Sequence, residues 1–171
     1  MEKFSNINEL IVALLIWITS NSDYKNPQKD INVEFLKQSQ LSELACKRDC
    51  EILAYTPIEP KYKIYLSDKL NPIDNICDRG ILLHEIIHVL QEEQKKFAEN
   101  DERTRKHLRE MEALVNHNIY LSQFGKKILY SNGFAAKFKT QTKNNLYCWL
   151  NSLDSISDIL KYPKCISLLI I

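Results

Sequence analysis

Hydrophobic positions along the chain predict several helices. Residues 10–18 form one continuous apolar run, which indicates a buried first helix that ends near Asn21. Residues 81–90 are apolar on almost every side of a helix, so this segment is expected in a core. Apolar residues recur at helical spacing within residues 102–124, which predicts a further long helix that Gly125 ends.

Two shorter segments have the character of strands. Within residues 62–66, three apolar positions alternate with the other two, and residues 50–55 are the second candidate. The loop between them contains Pro57 and Pro60, so a hairpin is the simplest pairing. Residues 30–46 predict a short extended piece followed by a short helix.

The helix that contains residues 81–90 has a clear start signal. Asp74, Asn75 and Asp78 each have a side chain that can cap the first turn of a helix. No strong break follows for several turns, so the helix is expected to run to about Ala98.

The composition is that of an ordinary globular domain. With 171 residues, of which 44% are hydrophobic and 26% charged, residues 1–171 are expected to form a single domain. The chain has only three glycines, which favours helices. Further helix is expected within residues 133–161, and the apolar residues 166–171 are expected to dock on the body. Together these features predict a helix-rich α+β fold, in which a small antiparallel sheet precedes the helix of residues 81–90.

Charge and the N-terminal segment indicate the surroundings of the protein. The net charge of +1 gives no overall field that would attract nucleic acid or a membrane. Residues 10–18 are too few to span a bilayer. Glu2 and Glu9 outweigh Lys3 where a signal peptide has a basic start. We therefore expect a cytoplasmic protein without a nucleic-acid partner or a membrane span, with export by a weak N-terminal signal as the alternative.

The cysteines do not form an evident framework. Their number, five, is odd, which disfavours complete disulfide pairing. Cys46 and Cys50 have a spacing that metal thiolates can show, but no further ligand lies nearby. Partly buried free thiols are the favoured interpretation, and a local disulfide in an exported protein is the alternative.

The sequence His84-Glu85-Ile86-Ile87-His88 carries the strongest chemical signal. Residues four apart share one face of a helix, so His84 and His88 can offer two imidazole nitrogens to one metal ion. Glu85 lies about 100° further round the helix, where it can reach a water beside the metal. Burying these three side chains in an apolar helix is costly without a compensating partner. The motif therefore predicts a zinc (Zn2+) site with Glu85 as the general base.

A catalytic zinc takes three protein ligands, and the helix of residues 102–124 offers Glu110 and Glu112 as the third. No third histidine follows His88 closely, which disfavours the metzincin arrangement. Helical phase favours Glu112, because it lies beside the cleanest apolar stripe of this helix, whereas Glu110 lies on the opposite side. Both carboxylates are candidates on this evidence; the stripe consists of Leu108, Met111, Val115 and Ile119.

These two helices resemble those of known zinc peptidases. In the gluzincin metallopeptidases a glutamate on a following helix, often within Glu-x-x-Ala, completes the site, and residues 110–113 are similar to that pattern. The chain also resembles a small, largely uncharacterised bacterial family with a His-Glu-x-x-His-x-x-Gln helix, as in residues 84–91, and a Glu-x-Glu-Ala helix. The resemblance covers about residues 46–121 and implies a zincin-like fold with Glu110 as the third ligand. Gluzincins commonly have an acidic or amide residue after the alanine, where this chain has Leu114.

The resemblance implies zinc-dependent hydrolysis of peptide bonds in a peptide or protein substrate. An extended substrate is then expected along residues 62–66, taken as an edge strand. His117 or Tyr120 could donate a hydrogen bond to an oxyanion beside the zinc. One alternative is a non-catalytic zinc-binding protein-interaction module, which would have a fourth protein ligand and would not need Glu85. Another is a hydrolase that acts on a non-peptide amide.

Overall fold

The computed structural model describes residues 3–126, in which four helices and three short strands confirm the helix-rich α+β fold class. The segments at residues 133–161 and 166–171 lie outside the described part. The small sheet precedes the helix that carries the two histidines, as predicted. The elements in chain order are α1 (Ile7–Asn21), β1 (Asn32–Leu36), α2 (Gln38–Cys46), β2 (Ala54–Tyr55), β3 (Lys63–Ser67), α3 (Ile76–Glu93) and α4 (Glu102–Ser122).

The sheet is mixed, so the prediction of an antiparallel sheet is only partly right. The predicted hairpin is present, since β2 pairs antiparallel with β3. On its other side β3 pairs with β1, and that pair is parallel, with Asn32 opposite Lys63. The strand order is therefore β1-β3-β2, and β3 is the central strand. The expectation that residues 62–66 form a free edge is wrong, because both sides of β3 are already paired.

Helix α3 lies at the centre of the described fold. It packs against α4, α1, β2 and β3. Its apolar side chains are almost completely buried, because a helix that is apolar on every side must be covered on every side. The first helix buries only one face, and Val12 and Ile16 on its other face are more than half exposed. The most deeply buried apolar residues of α3 are Leu82, Leu83, Ile86, Ile87 and Leu90.

The predicted start of α3 is confirmed, and its predicted end is wrong. Asn75 is the N-cap, and its side chain accepts a hydrogen bond from the backbone N–H of Cys77. The helix ends at Glu93 rather than near Ala98, because Lys95 and Phe97 have positive φ values and turn the chain towards α4. No helix within residues 3–126 is long and apolar enough to cross a membrane.

Cys46 and Cys50 form a disulfide, so the preference for free thiols is wrong. The physical reason is the end of α2. Lys47 adopts a left-handed backbone conformation, with φ of 53°, and turns the chain back. The turn brings the two Cα atoms to 6.4 Å, within the range that a disulfide spans.

Candidate metal centre

His84 and His88 lie on one face of α3 and point their Nε2 atoms at each other. The two Nε2 atoms are 3.0 Å apart. His84 is 1% exposed, and the side chain of His88 is 13% exposed. The four-residue spacing thus brings the two imidazoles together, as the sequence predicted.

Helix α4 brings Glu110 to the same point. Its Oε2 is 3.5 Å from Nε2 of His84, and its Oε1 is 3.3 Å from Nε2 of His88. Glu110 is 6% exposed. The other candidate, Glu112, has its carboxylate elsewhere and does not belong to this group. The structure therefore groups Glu110, and not Glu112, with the two histidines, and the role of Glu110 as a metal ligand stays a prediction.

The apolar stripe of α4 does not form the buried face of that helix. Val115 and Ile119 from the apolar stripe are 39% and 43% exposed. The buried face instead carries Glu110, Asn116 and His117 together with apolar residues. The usual link between hydrophobicity and burial fails here because this face of α4 supplies polar groups to a buried site.

The three side chains fit a divalent metal ion. One donor atom from each lies within 4.8 Å of the others. A tetrahedral zinc with bonds of about 2.0–2.1 Å would hold its donors about 3.3 Å apart, close to the three separations above. Within the described residues, Oε2 of Glu110 is buried without a hydrogen-bond partner. An ion at this point would satisfy that oxygen and both imidazole nitrogens, so His84, His88 and Glu110 could hold a metal.

The charges of the group agree with this arrangement. Burial raises the pKa of Glu110, but the two neighbouring histidines outweigh burial and hold it at about 2. Burial lowers the pKa of His88, while the carboxylates of Glu110 and Glu85 act in the opposite direction and prevail, so its pKa is raised. The site thus has a stable negative charge beside two imidazoles, and this negative charge favours a cation.

Glu85 lies close enough to His88 to affect its pKa, and a threonine holds its carboxylate. The residue is 3% exposed. The hydroxyl of Thr56, just after β2, donates a hydrogen bond of 2.7 Å to Oε2 of Glu85. This hydrogen bond holds Oε2 and so restricts the position of Oε1 within the planar carboxylate. The role of Thr56 was not predicted, because only the fold brings the end of β2 to α3.

Gln91 contacts the ring nitrogen of His88 that does not face His84. Its Oε1 is 2.8 Å from Nδ1 of His88, three residues earlier on α3. An outer partner of this kind usually orients a metal-binding histidine. The side chain of Leu114 has no hydrogen-bonding group, whereas Gln91 supplies such a contact to His88. Within residues 3–126, Nδ1 of His84 is buried without a hydrogen-bond partner.

His117 and Tyr120, the two candidate oxyanion stabilisers, have different surroundings. The ring centroids of His117 and His84 are 5.9 Å apart. Burial, and then the neighbouring His84, hold the pKa of His117 well below its ordinary value, so its imidazole is neutral. Gly80 leaves room for that ring, because a Cβ there would be 2.3 Å from Nε2 of His117. Tyr120 packs edge-on against Trp17, with ring centroids 5.2 Å apart, which is the geometry of a core aromatic.

Comparisons with known proteins leave the site to be interpreted from its own geometry. No family model, curated protein or solved structure matches this chain. The resemblance to gluzincins therefore rests on the residues of the two helices, and membership of that family stays a prediction.

Proposed function

We propose that this protein is a zinc-dependent peptidase in which His84, His88 and Glu110 hold the metal. The observation that carries the proposal is that these three donors lie together, with a fourth side chain, the buried carboxylate of Glu85, near His88 but outside the group. Among the described residues no fourth histidine, cysteine, aspartate or glutamate joins them. Three protein ligands with one open position are typical of catalytic zinc, whereas structural sites are closed by four.

In the proposed reaction a water is activated at the metal, Glu85 transfers a proton, and Thr56 orients Glu85. When bound, zinc would polarise the scissile carbonyl and lower the pKa of a water at the open position to about 7. Glu85 accepts a proton from the attacking water as the water oxygen bonds to the carbonyl carbon. Glu85 then passes that proton to the leaving amine as the C–N bond breaks. The hydrogen bond from Thr56 keeps the Glu85 carboxylate in one orientation during both proton transfers.

An extended substrate would pair with β2 rather than with β3. β3 is paired on both sides, whereas β2 lies at one end of the strand order among the described residues. β2 also leads directly to Thr56, which contacts Glu85. A peptide added to that edge would have its backbone hydrogen bonds supplied next to the general base.

Removal and return of zinc tests this proposal. Dialysis against a chelator is expected to abolish cleavage of an unfolded model protein, and one equivalent of zinc is expected to restore it, because the water is not activated without the metal. Cleavage is measured from the fragments by mass spectrometry. A protein that binds one equivalent of zinc and cleaves no peptide bond would instead be a non-catalytic zinc-binding module.

A further inference from the structure

Glu112 is the carboxylate that the metal group does not use, and it is firmly held. Its Oε2 accepts hydrogen bonds from the side-chain amide of Gln91, at 2.9 Å, and from the hydroxyl of Tyr24. Burial, and then the carboxylate of Glu112, raise the pKa of Tyr24 well above its ordinary value, so the phenol is the donor. The Nζ of Lys96 lies 4.0 Å from the other oxygen, Oε1. Glu112 is therefore a fixed acceptor facing Gln91.

The partners of Gln91 determine the orientation of its amide. Its Nε2 is 2.9 Å from the backbone oxygen of Arg109 and 2.9 Å from Oε2 of Glu112, and both of these atoms are acceptors. Its Oε1 is 3.3 Å from Nε of Arg109, which can only donate. A half-turn of the amide would place acceptor against acceptor and donor against donor. Gln91 thus has one satisfied orientation, in which Oε1 faces His88.

This orientation determines the tautomer of His88. Because Oε1 of Gln91 only accepts, Nδ1 of His88 must carry the hydrogen across the 2.8 Å contact. A neutral imidazole protonated at Nδ1 has its lone pair on Nε2, the atom that faces His84 and Glu110.

We propose that Glu112 is a positioning residue that acts on the metal site through Gln91. It holds the amide in the orientation that keeps the Nε2 lone pair of His88 directed at the metal. The second glutamate of the Glu-x-Glu-Ala segment then serves as the outer support of a histidine ligand rather than as a ligand. This inference rests on the metal site of the proposed function and does not depend on hydrolysis.

A matched pair of variants tests the role of Glu112. Glu112→Met keeps the length of the side chain and removes the acceptor, and it is expected to weaken zinc binding by about 10- to 100-fold. Glu112→Gln keeps an acceptor oxygen for Gln91 and is expected to bind zinc nearly as tightly as the wild type. Affinity is measured by competition with a chromophoric chelator, without substrate. Glu93→Met is the control, since Glu93 also accepts two hydrogen bonds, from Tyr62 and Gln28, but none from Gln91.

Two further measurements separate an action through Gln91 from a general loss of structure. In a Gln91→Ala background, Glu112→Met is expected to cost little additional affinity, because the connecting amide is gone. In the zinc-free protein, nitrogen NMR is expected to show that Nδ1 of His88 carries a hydrogen, as its contact with Oε1 of Gln91 requires. Losses that add fully in the double variant, or a wild-type His88 whose Nδ1 carries no hydrogen, would overturn the proposal. A wild type that binds no zinc would refute the proposed function, while the NMR result would still test this inference.

Discussion

Replacement of Glu85 by glutamine is expected to lower peptide turnover by at least about 100-fold while the protein keeps its fold and its zinc. The amide has nearly the same shape as the carboxylate, so packing within α3 is retained. Thr56 can still donate its hydrogen bond to the amide oxygen. The amide cannot accept a proton at neutral pH, so the attacking water is not deprotonated. The measurement is turnover of one peptide by both proteins at matched zinc content.

A second glutamate on α3 provides the control for this experiment. Glu93 lies eight residues after Glu85, at the end of the helix, where its carboxylate contacts Tyr62 and Gln28. Glu93→Gln is therefore expected to leave turnover close to that of the wild type. If Glu85→Gln lowered the melting temperature and left turnover unchanged, Glu85 would have a structural role, and the mechanism proposed above would be wrong.

Loss of Glu110 is expected to weaken zinc binding at least about 10-fold more than loss of Glu112. Glu110→Ala removes a donor atom from the group, whereas Glu112→Ala removes a support of Gln91, and outer supports are typically worth about 10- to 100-fold in metal affinity. Competition with a chelator measures both variants on one scale. Tight zinc binding by Glu110→Ala, together with loss of zinc from Glu112→Ala, would show that Glu112 is the ligand.

Much of the site was predictable because its main signal is local. The spacing of His84 and His88 fixes their relative position on any regular helix, and the adjacent Glu85 follows from the same geometry. The cap at Asn75 and the β2–β3 hairpin depend on neighbouring residues as well, and both were predicted. Such local patterns can be read from the sequence because the regular hydrogen bonding of a helix, a cap or a hairpin determines where neighbouring residues lie.

The features that sequence analysis missed depend on contacts between distant segments. The parallel pairing of β1 with β3 joins strands that α2 and β2 separate in the chain. Thr56 reaches Glu85 only after the sheet has packed on α3. Helical phase favoured Glu112, whereas the structure groups Glu110 with the two histidines, because apolar residues of α4 are exposed while polar ones are buried. Gln91 was visible three residues after His88, but the groups that orient its amide lie on α4.

The zinc content of the purified protein tests the central claim most directly. After dialysis against zinc and removal of the excess, elemental analysis of the wild type is expected to find about one zinc per chain. The double variant His84→Ala/His88→Ala is expected to hold almost none, because two of the three donors are absent. The absence of zinc from the folded wild type, or equal zinc in both proteins, would contradict the metal site described above.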